Sequence, residues 1–303
     1  MLEINKIYNC DCLEGLKEID DESINCCITS PPYWALRDYG VDGQLGLEPT
    51  FEEYIDKLCN IFDEVKRVLR KDGTCWVVIG DTYGGTGTGQ EKSMESKNKQ
   101  TSGQYEDAIE ARNTKNIATK GIYDKCLLMI PFRFAIEMVN RGWILRNTII
   151  WYKPNCMPAS VKDRFTVDFE YIFFFVKNKK YWFEQQFEPQ QNWGLRDRTE
   201  GKYKKAGLAN GLTGEINIEG RNKRSVWQVT TKPFKEAHFA VYPPDLIEPM
   251  IKAGCPENSI VLDPFFGSGT TGLVAKKLNR NYIGFELNKE YCKIAYNRIK
   301  NGK

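Results

Sequence analysis

The sequence predicts an α/β protein built on a doubly wound, mostly parallel sheet. Two observations carry that expectation. Short β-rich runs alternate with segments of helical periodicity at both ends of the chain, and a glycine-rich turn, Gly267-Ser268-Gly269, joins a strand-like run to a helix-like one.

Taken in order, 6–10 reads as a short strand and 13–17 as a brief helical turn. Residues 23–29 form a buried strand. Between 54 and 69, Ile55, Leu58, Ile61, Phe62, Val65, Val68 and Leu69 recur at helical spacing. Lys71-Asp72-Gly73 is expected to end that helix before a strand over 74–80. Residues 82–125, rich in Gly, Thr, Ser, Lys and Asn, break the pattern and read as a long mobile loop with a short helix at 105–112. A helix at 130–140 and strands at 143–152 and 169–176 follow. Residues 188–234 read as irregular and basic. The C-terminal part reads as helix (242–253, opened by Pro243-Pro244), strand (259–262), glycine turn, helix (270–278), strand (281–285) and helix (289–300).

The chain has 303 residues, 41% hydrophobic and 27% charged, enough apolar residues for a sizeable core. Its longest apolar run, around 172–176, is far below the roughly 20 residues of a membrane span. The N-terminus MLEINKIYNCDC lacks the basic and apolar regions of a secretory signal. Ten cysteines without such a signal point to reduced thiols and a cytoplasmic protein. No C-x-x-C pair and a single histidine, His238, argue against a metal site. Net charge is only +3, but 191–235 holds ten lysines and arginines against four acids. With Trp193, Tyr203 and Trp227 interleaved, this stretch suits phosphate contact and base reading. Arg196, Arg198, Lys202, Lys204, Lys205, Arg221, Lys223 and Arg224 are the expected DNA contacts.

The segment Asp263-Pro264-Phe265-Phe266-Gly267-Ser268-Gly269-Thr270 follows a strand and opens a helix. Gly267 and Gly269 let the backbone approach a ligand, and the helix start offers unpaired N–H groups. Glu286 ends the next strand, where such a unit places an acceptor for ribose hydroxyls. The pattern fits a cofactor with a ribose and an amino-acid end but no phosphate. Near the start, Ser30-Pro31-Pro32-Tyr33 follows the strand ending at Ile28. Two prolines stiffen the backbone and leave carbonyls rigidly aimed. A carbonyl and a serine hydroxyl can accept hydrogen bonds from an exocyclic amine, and the adjacent aromatic can stack on its base once that base has left the duplex. Trp34 reads equally as core, and Arg37-Asp38-Tyr39 and Gln44-Leu45-Gly46 equally as pocket wall or solvated loop.

Ser30-Pro31-Pro32-Tyr33 resembles motif IV of the amino-methylating DNA methyltransferases, and 263–269 resembles their motif I. His238-Phe239-Ala240 resembles motif X, which closes over the methionine end of the cofactor. Catalytic motif first, basic region in the middle and cofactor motif last is the order of the beta group. The resemblance covers nearly the whole chain. It implies a circularly permuted, Rossmann-like S-adenosylmethionine-dependent fold. A catalytic half would span 1–183, a target-recognition region 184–235 and a cofactor half 236–303. It implies catalysis by Ser30, Pro31, Pro32 and Tyr33. The cofactor would be held by Asp11, Ser30, His238, Phe239, Ala240, residues 263–270 and Glu286, with no metal. Asp11 stands where the family's motif III supplies an acid, and equally where it would cap the helix at 13–17. Double-stranded DNA is the implied substrate, and the host is a bacterium or a phage. A separately acting restriction endonuclease and a second copy of the chain are the further partners the resemblance adds.

The serine form of motif IV is commoner among N4-cytosine enzymes, which makes N4 of cytosine the expected target and N6 of adenine the alternative. Carbon-5 methylation would require a Pro-Cys nucleophile, and the chain has none. A non-catalytic DNA-binding protein with a degenerate cofactor site is disfavoured by the intact Ser30, Asp263, Gly267, Gly269 and Glu286. Glutamine and RNA methyltransferases carry Asn-Pro-Pro-Tyr after the cofactor motif, the reverse of the order here.

Overall fold

The computed structural model describes residues 2–85, 122–189, 221–232 and 241–302. The expected helix at 105–112 and most of the loop at 82–125 lie outside them.

The strands are β1 (Lys6–Tyr8), β2 (Ile24–Thr29), β3 (Leu69–Ile79), β4 (Ile144–Tyr152), β5 (Phe169–Val176), β6 (Phe187–Glu188), β7 (Arg221–Asn222), β8 (Val226–Gln228), β9 (Ile260–Asp263) and β10 (Asn281–Phe285). Eight of them form one sheet in the order β1-β10-β9-β2-β3-β5-β4-β8, while β6 and β7 pair separately. Only β5 runs against the rest of the large sheet. The helices are α1 (Cys12–Lys17), α2 (Phe51–Val68), α3 (Ile130–Asn140), α4 (Pro244–Gly254), α5 (Thr270–Lys277) and α6 (Lys289–Asn301).

The two-residue period of the strands divides the interior into two cores. On β5, Phe173 and Phe175 face one core while Ile172, Phe174 and Val176 face the other. Leu16 of α1, Leu58 and Phe62 of α2 and Phe134 of α3 cover the first. Leu246 and Met250 of α4, Leu273 and Val274 of α5 and Ala295 of α6 cover the second. Helices on both faces of a mainly parallel sheet are the expected doubly wound arrangement.

Local sequence explains several helix ends. The Thr50 side chain accepts from the Glu53 amide at 3.2 Å, which starts α2. Asn288 caps α6 in the same way, and Gly302 closes it in a left-handed conformation. One boundary differs from expectation. Lys71-Asp72-Gly73 does not end α2 but lies inside β3. The helix stops at Val68 because Leu69 is already extended (φ −67°, ψ 136°) and pairs with Ile24. The next partners are Cys26 and Thr74, so the ladder is irregular there and 70–73 are accommodated as an excursion. The stretch read as irregular, 188–234, also contributes β8, which pairs with β4 at the sheet edge.

The chain's two ends meet in the sheet. β1 joins the outer edge of β10, with Lys6 opposite Ile283 and Tyr8 opposite Phe285. The segments β9-α5-β10 and β2-α2-β3 build outward in opposite directions from the β9–β2 seam. Ligands in open α/β sheets bind at the carboxyl edge beside such a reversal.

Candidate active site

Because β1, β10, β9 and β2 run parallel, the segments that follow them emerge at one edge. They surround a cleft of about 360 Å³. Asp11 comes from the end of β1, Glu286 from β10, the turn 264–268 from β9, and Ser30 and Pro32 from β2; all of them line it. Two segments far apart in sequence, near residue 30 and near residue 265, therefore share one cavity.

The turn is built around its glycines. Gly267 has φ +51° and Gly269 φ +80°, values a side chain disfavours. A Cβ on Gly269 would also lie 2.8 Å from the Ala295 Cβ of α6. Arg298 of α6 braces the turn, donating to the Ser268 hydroxyl at 3.0 Å and the Thr270 hydroxyl at 2.7 Å. Phe265 faces the cleft half-buried, while the Phe266 ring turns into the second core and stacks on Tyr282 at 5.6 Å.

Asp263 is placed differently from a ligand contact. It is 0% exposed and does not line the cleft. Its carboxylate accepts from Thr29 (2.5 Å), Thr271 (2.6 Å), Tyr242 (2.9 Å) and the Phe265 amide (3.0 Å). Burial raises its pKa, and the hydrogen bonds from Thr271 and Thr29 work against that rise. The residue is an anchor beneath the turn. Gly269 likewise lies below the cleft surface as the N-cap of α5.

Glu286 is at the surface of the cavity. One oxygen accepts from the Gly267 amide at 2.8 Å and the other from the Asn288 amide at 2.7 Å. Each keeps a second lone pair that can accept from a diol. Burial raises its pKa. Asn9 ties this corner to the start of the chain, donating to the carbonyls of Glu286 and Leu287, both at 2.9 Å. Both readings of Asp11 hold geometrically. It caps α1 by accepting from the Leu13 amide at 2.8 Å, and it lines the cleft.

At the Ser30 end, the Tyr54 hydroxyl donates to the Pro32 carbonyl at 2.8 Å and pins the elbow to α2. Pro31 is buried, and neither it nor Tyr33 lines the cleft. The Tyr33 hydroxyl donates to Glu170 of β5 at 2.8 Å. Burial, with the Glu170 carboxylate close by, pushes its phenol well above the ordinary range, and a hydrogen bond with Ser30 opposes this. Trp34 is core: it is 1% exposed, and its indole donates to the Glu48 carbonyl at 2.9 Å.

The loop after the elbow folds over the cleft. Tyr39, Val41, Gln44 and Leu45 line it, and Tyr39 meets Tyr291 of α6 edge-on at 6.3 Å. Sequence reasoning left this loop undecided and missed Glu48, Lys57 and Tyr291, which also line the cavity. Glu48 is nearly fully buried, accepts from the Gly46 amide at 2.8 Å and pairs with Lys57 at 3.4 Å. No local pattern in the sequence announces it.

His238, Phe239, Ala240, Arg196, Arg198, Lys202, Lys204 and Lys205 lie outside the described residues. Val241 and Tyr242, next to the first three, line the cleft. Of the expected DNA contacts that are described, Arg221 and Arg224 both pair with Glu188, at 2.8 and 2.7 Å, and Lys223 lies 5.0 Å from the Trp227 ring centre.

A family model described as DNA methylase, covering N6 and N4 enzymes, matches residues 24–297. The chain belongs to that family. It is a DNA methyltransferase of the N4/N6 type. Among curated relatives, the Type II methyltransferase M.XycI of Xanthomonas campestris pv. cyanopsidis is 40% identical over 99% of this chain and 89% of its own. M.Cfr9I of Citrobacter freundii matches at 40% over the same shares. M.SmaI of Serratia marcescens is 38% identical over 97% of this chain and 90% of its own. Among solved structures, the cytosine-N4-specific PvuII DNA methyltransferase superposes with a TM-score of 0.63 at 22% identity, over 100% of this chain and 95% of that one. M1.HpyAVI, solved as a complex with SAM, superposes at 0.55 and 20% identity, over 97% and 98%. At that identity the two structures speak to the fold, and they place this methylase among S-adenosylmethionine-dependent methyltransferase folds.

Proposed function

We propose that this methylase transfers a methyl group from S-adenosylmethionine to N4 of cytosine in duplex DNA, after flipping the base out of the stack. The observation that carries the reading is that Ser30 and Glu286 line one cleft. Its volume of about 360 Å³ is within the range of small-molecule sites.

The donor set fits the cofactor. The outer lone pairs of Glu286 would take the two ribose hydroxyls. Asp11 and Phe265 would flank the adenine end, and Ser268, Thr270 and the stretch at 238–240 the methionine end. Bound there, S-adenosylmethionine would supply the methyl group: the carbon–nitrogen bond forms as the carbon–sulfur bond breaks, its electron pair staying on sulfur and one amine proton passing to water. The chain's own residues address the weakness of the nucleophile, an aromatic amine whose lone pair is delocalised into its ring. Ser30 Oγ and the Pro31 carbonyl would accept both amine hydrogens, which localises that pair. Tyr33, next in the chain to Pro32 of the cleft wall, would stack on a base that reaches the elbow and hold it in line. A dry pocket favours a step in which the positive charge on sulfur disappears.

Cytosine N4 is favoured by the Ser-Pro-Pro-Tyr form of the elbow and by the N4-specific name of the PvuII relative. The names of the Type II relatives support a place in restriction-modification beside a separate endonuclease. We include a second copy of the chain as a partner, on the support of Phe132, Ile136 and Val139, exposed along one side of α3. Light scattering on the purified protein checks that point. The basic stretch at 191–235 is assigned the reading of the duplex.

The deciding experiment is sequencing of DNA from cells expressing the protein, by a method that separates N4-methylcytosine from N6-methyladenine. N4-methylcytosine at one short site is the expected result, and N6-methyladenine would move the target to adenine.

A further inference from the structure

Tyr33 is held from behind by an ion pair. Glu170, on β5, accepts the Tyr33 hydroxyl at one oxygen (2.8 Å) and Lys153 at the other. Lys153 directly follows β4 and also lies 4.2 Å from the Trp151 ring centre. Both charged side chains are mostly shielded, at 17% and 20% exposure. Gly80, directly after β3, leaves the space beside the ring: a Cβ there would stand 2.7 Å from one Tyr33 ring carbon. Residues of β5 and of the segments that end β3 and β4 thus confine one aromatic ring at its hydroxyl and along one side.

A shielded ion pair is weak evidence of stabilisation in itself, because desolvation offsets most of the attraction. Its placement is the informative part. A carboxylate alone would anchor the phenol, but a shielded charge without a partner is costly to hold. Lys153 cancels that charge without taking the oxygen that Tyr33 uses. The carboxylate is also beyond the reach of an ordinary ion-pair role between β4 and β5 alone, since its second oxygen is spent on the elbow.

Building on the reading that Tyr33 stacks on the flipped base, we infer that Glu170, neutralised by Lys153, is a positioning residue for the target base. It sets the plane of the Tyr33 ring, and the Tyr33 hydroxyl serves as its handle rather than as a contact to the base. A residue that holds a stacking platform in plane contributes to turnover through geometry, where small misplacements are costly.

The test is a double-mutant cycle with Tyr33→Phe, Glu170→Ala and the pair together, assayed on a duplex bearing the site mapped by sequencing. Each single variant should lower kcat about tenfold with little change in cofactor retention, and the double variant should lose no more than the worse single. Glu170→Gln, which keeps an acceptor oxygen, should recover most of the loss of Glu170→Ala and guards against a mere folding defect. With 2-aminopurine at the target position, the flipped base should be less quenched in Glu170→Ala than in the parent enzyme. Effects of Tyr33→Phe and Glu170→Ala that multiply, or a fully active Tyr33→Phe, would overturn the inference. Full activity of both Ser30→Ala and Tyr33→Ala would instead overturn the assignment of the elbow itself, so the two failures are distinguishable.

Discussion

The hydroxyl of Thr29 donates to the carboxylate of Asp263 at 2.5 Å, across the seam between β2 and β9. Thr29 directly precedes Ser30, and Asp263 directly precedes the turn at 264–268. The seam is short, with only Cys26–Val261 and Cys27–Leu262 in register. This hydrogen bond sets the elbow against the glycine turn at the point where the two halves of the sheet meet.

Thr29→Val keeps the shape but leaves one buried oxygen of Asp263 with the Phe265 amide as its remaining donor. The expected cost is about 1–3 kcal/mol of stability. Urea unfolding should give a lower midpoint with unchanged slope, and turnover should fall with it because both motifs depend on the seam. An unchanged midpoint would mean that the strand pairing across the seam aligns the two halves without this hydrogen bond.

How much of this was legible beforehand follows from the kind of signal each feature leaves. The parallel sheet was readable because strand and helix periods alternate, and the glycine turn because Gly267 and Gly269 perform a backbone task that side chains disfavour. The place of Asp263 was not, since a motif lists residues without saying which face the ligand. Only the three-dimensional gathering of Thr29, Tyr242 and Thr271 reveals it as an anchor. Glu48, Tyr291 and Arg298 reach the site by long-range packing, and no local pattern announces them. The start of β3 was misread for a local reason: Lys-Asp-Gly is turn chemistry, and an irregular ladder can absorb a turn without ending a strand.

Glu286 should control cofactor affinity in a pH-dependent way. Replacing it by Ala removes hydrogen bonds to a charged acceptor, with an expected loss of about 1.5–3 kcal/mol, or about tenfold to more than a hundredfold in Kd. Burial raises its pKa above the ordinary glutamate value of 4.5. In the free protein a raised value makes the contribution of Glu286 to stability greatest below 4.5 and lost as pH rises through the folded-state pKa. Cofactor binding has the opposite sign, because the ribose hydroxyls need the carboxylate as acceptor. Calorimetry should therefore find affinity falling on acidification at a pH above the ordinary glutamate range, and that dependence should vanish in Glu286→Ala.

Gly269→Ala tests the turn without touching a ligand atom. The residue has φ +80°, and the new Cβ would stand 2.8 Å from Ala295. Backbone strain of this kind costs about 1–3 kcal/mol, and displacement of α6 would add to it. A lower melting temperature together with weaker cofactor retention is expected. Normal values for both would show that the turn can relax away from α6.

The cysteines bear on the mechanism. Cys26 and Cys27 lie in β2 just before the elbow and are 0% exposed, and burial pushes both thiols well above their ordinary range. Cys12, at the cleft, is raised by burial and by the neighbouring Asp11. A nucleophilic cysteine needs the reverse, a thiolate favoured at neutral pH. Transfer should therefore be direct, from sulfonium carbon to amine, with Ser30→Ala lowering turnover by orders of magnitude while cofactor retention stays near that of the parent. Two measurements check this. A variant with Cys10, Cys12, Cys26 and Cys27 replaced by Ala or Ser, once shown to fold, should keep its turnover. DNA carrying 5-fluorocytosine at the target should be methylated without leaving the protein covalently attached. A trapped adduct, or a well-folded cysteine variant without turnover, would require a covalent intermediate and rule out direct transfer.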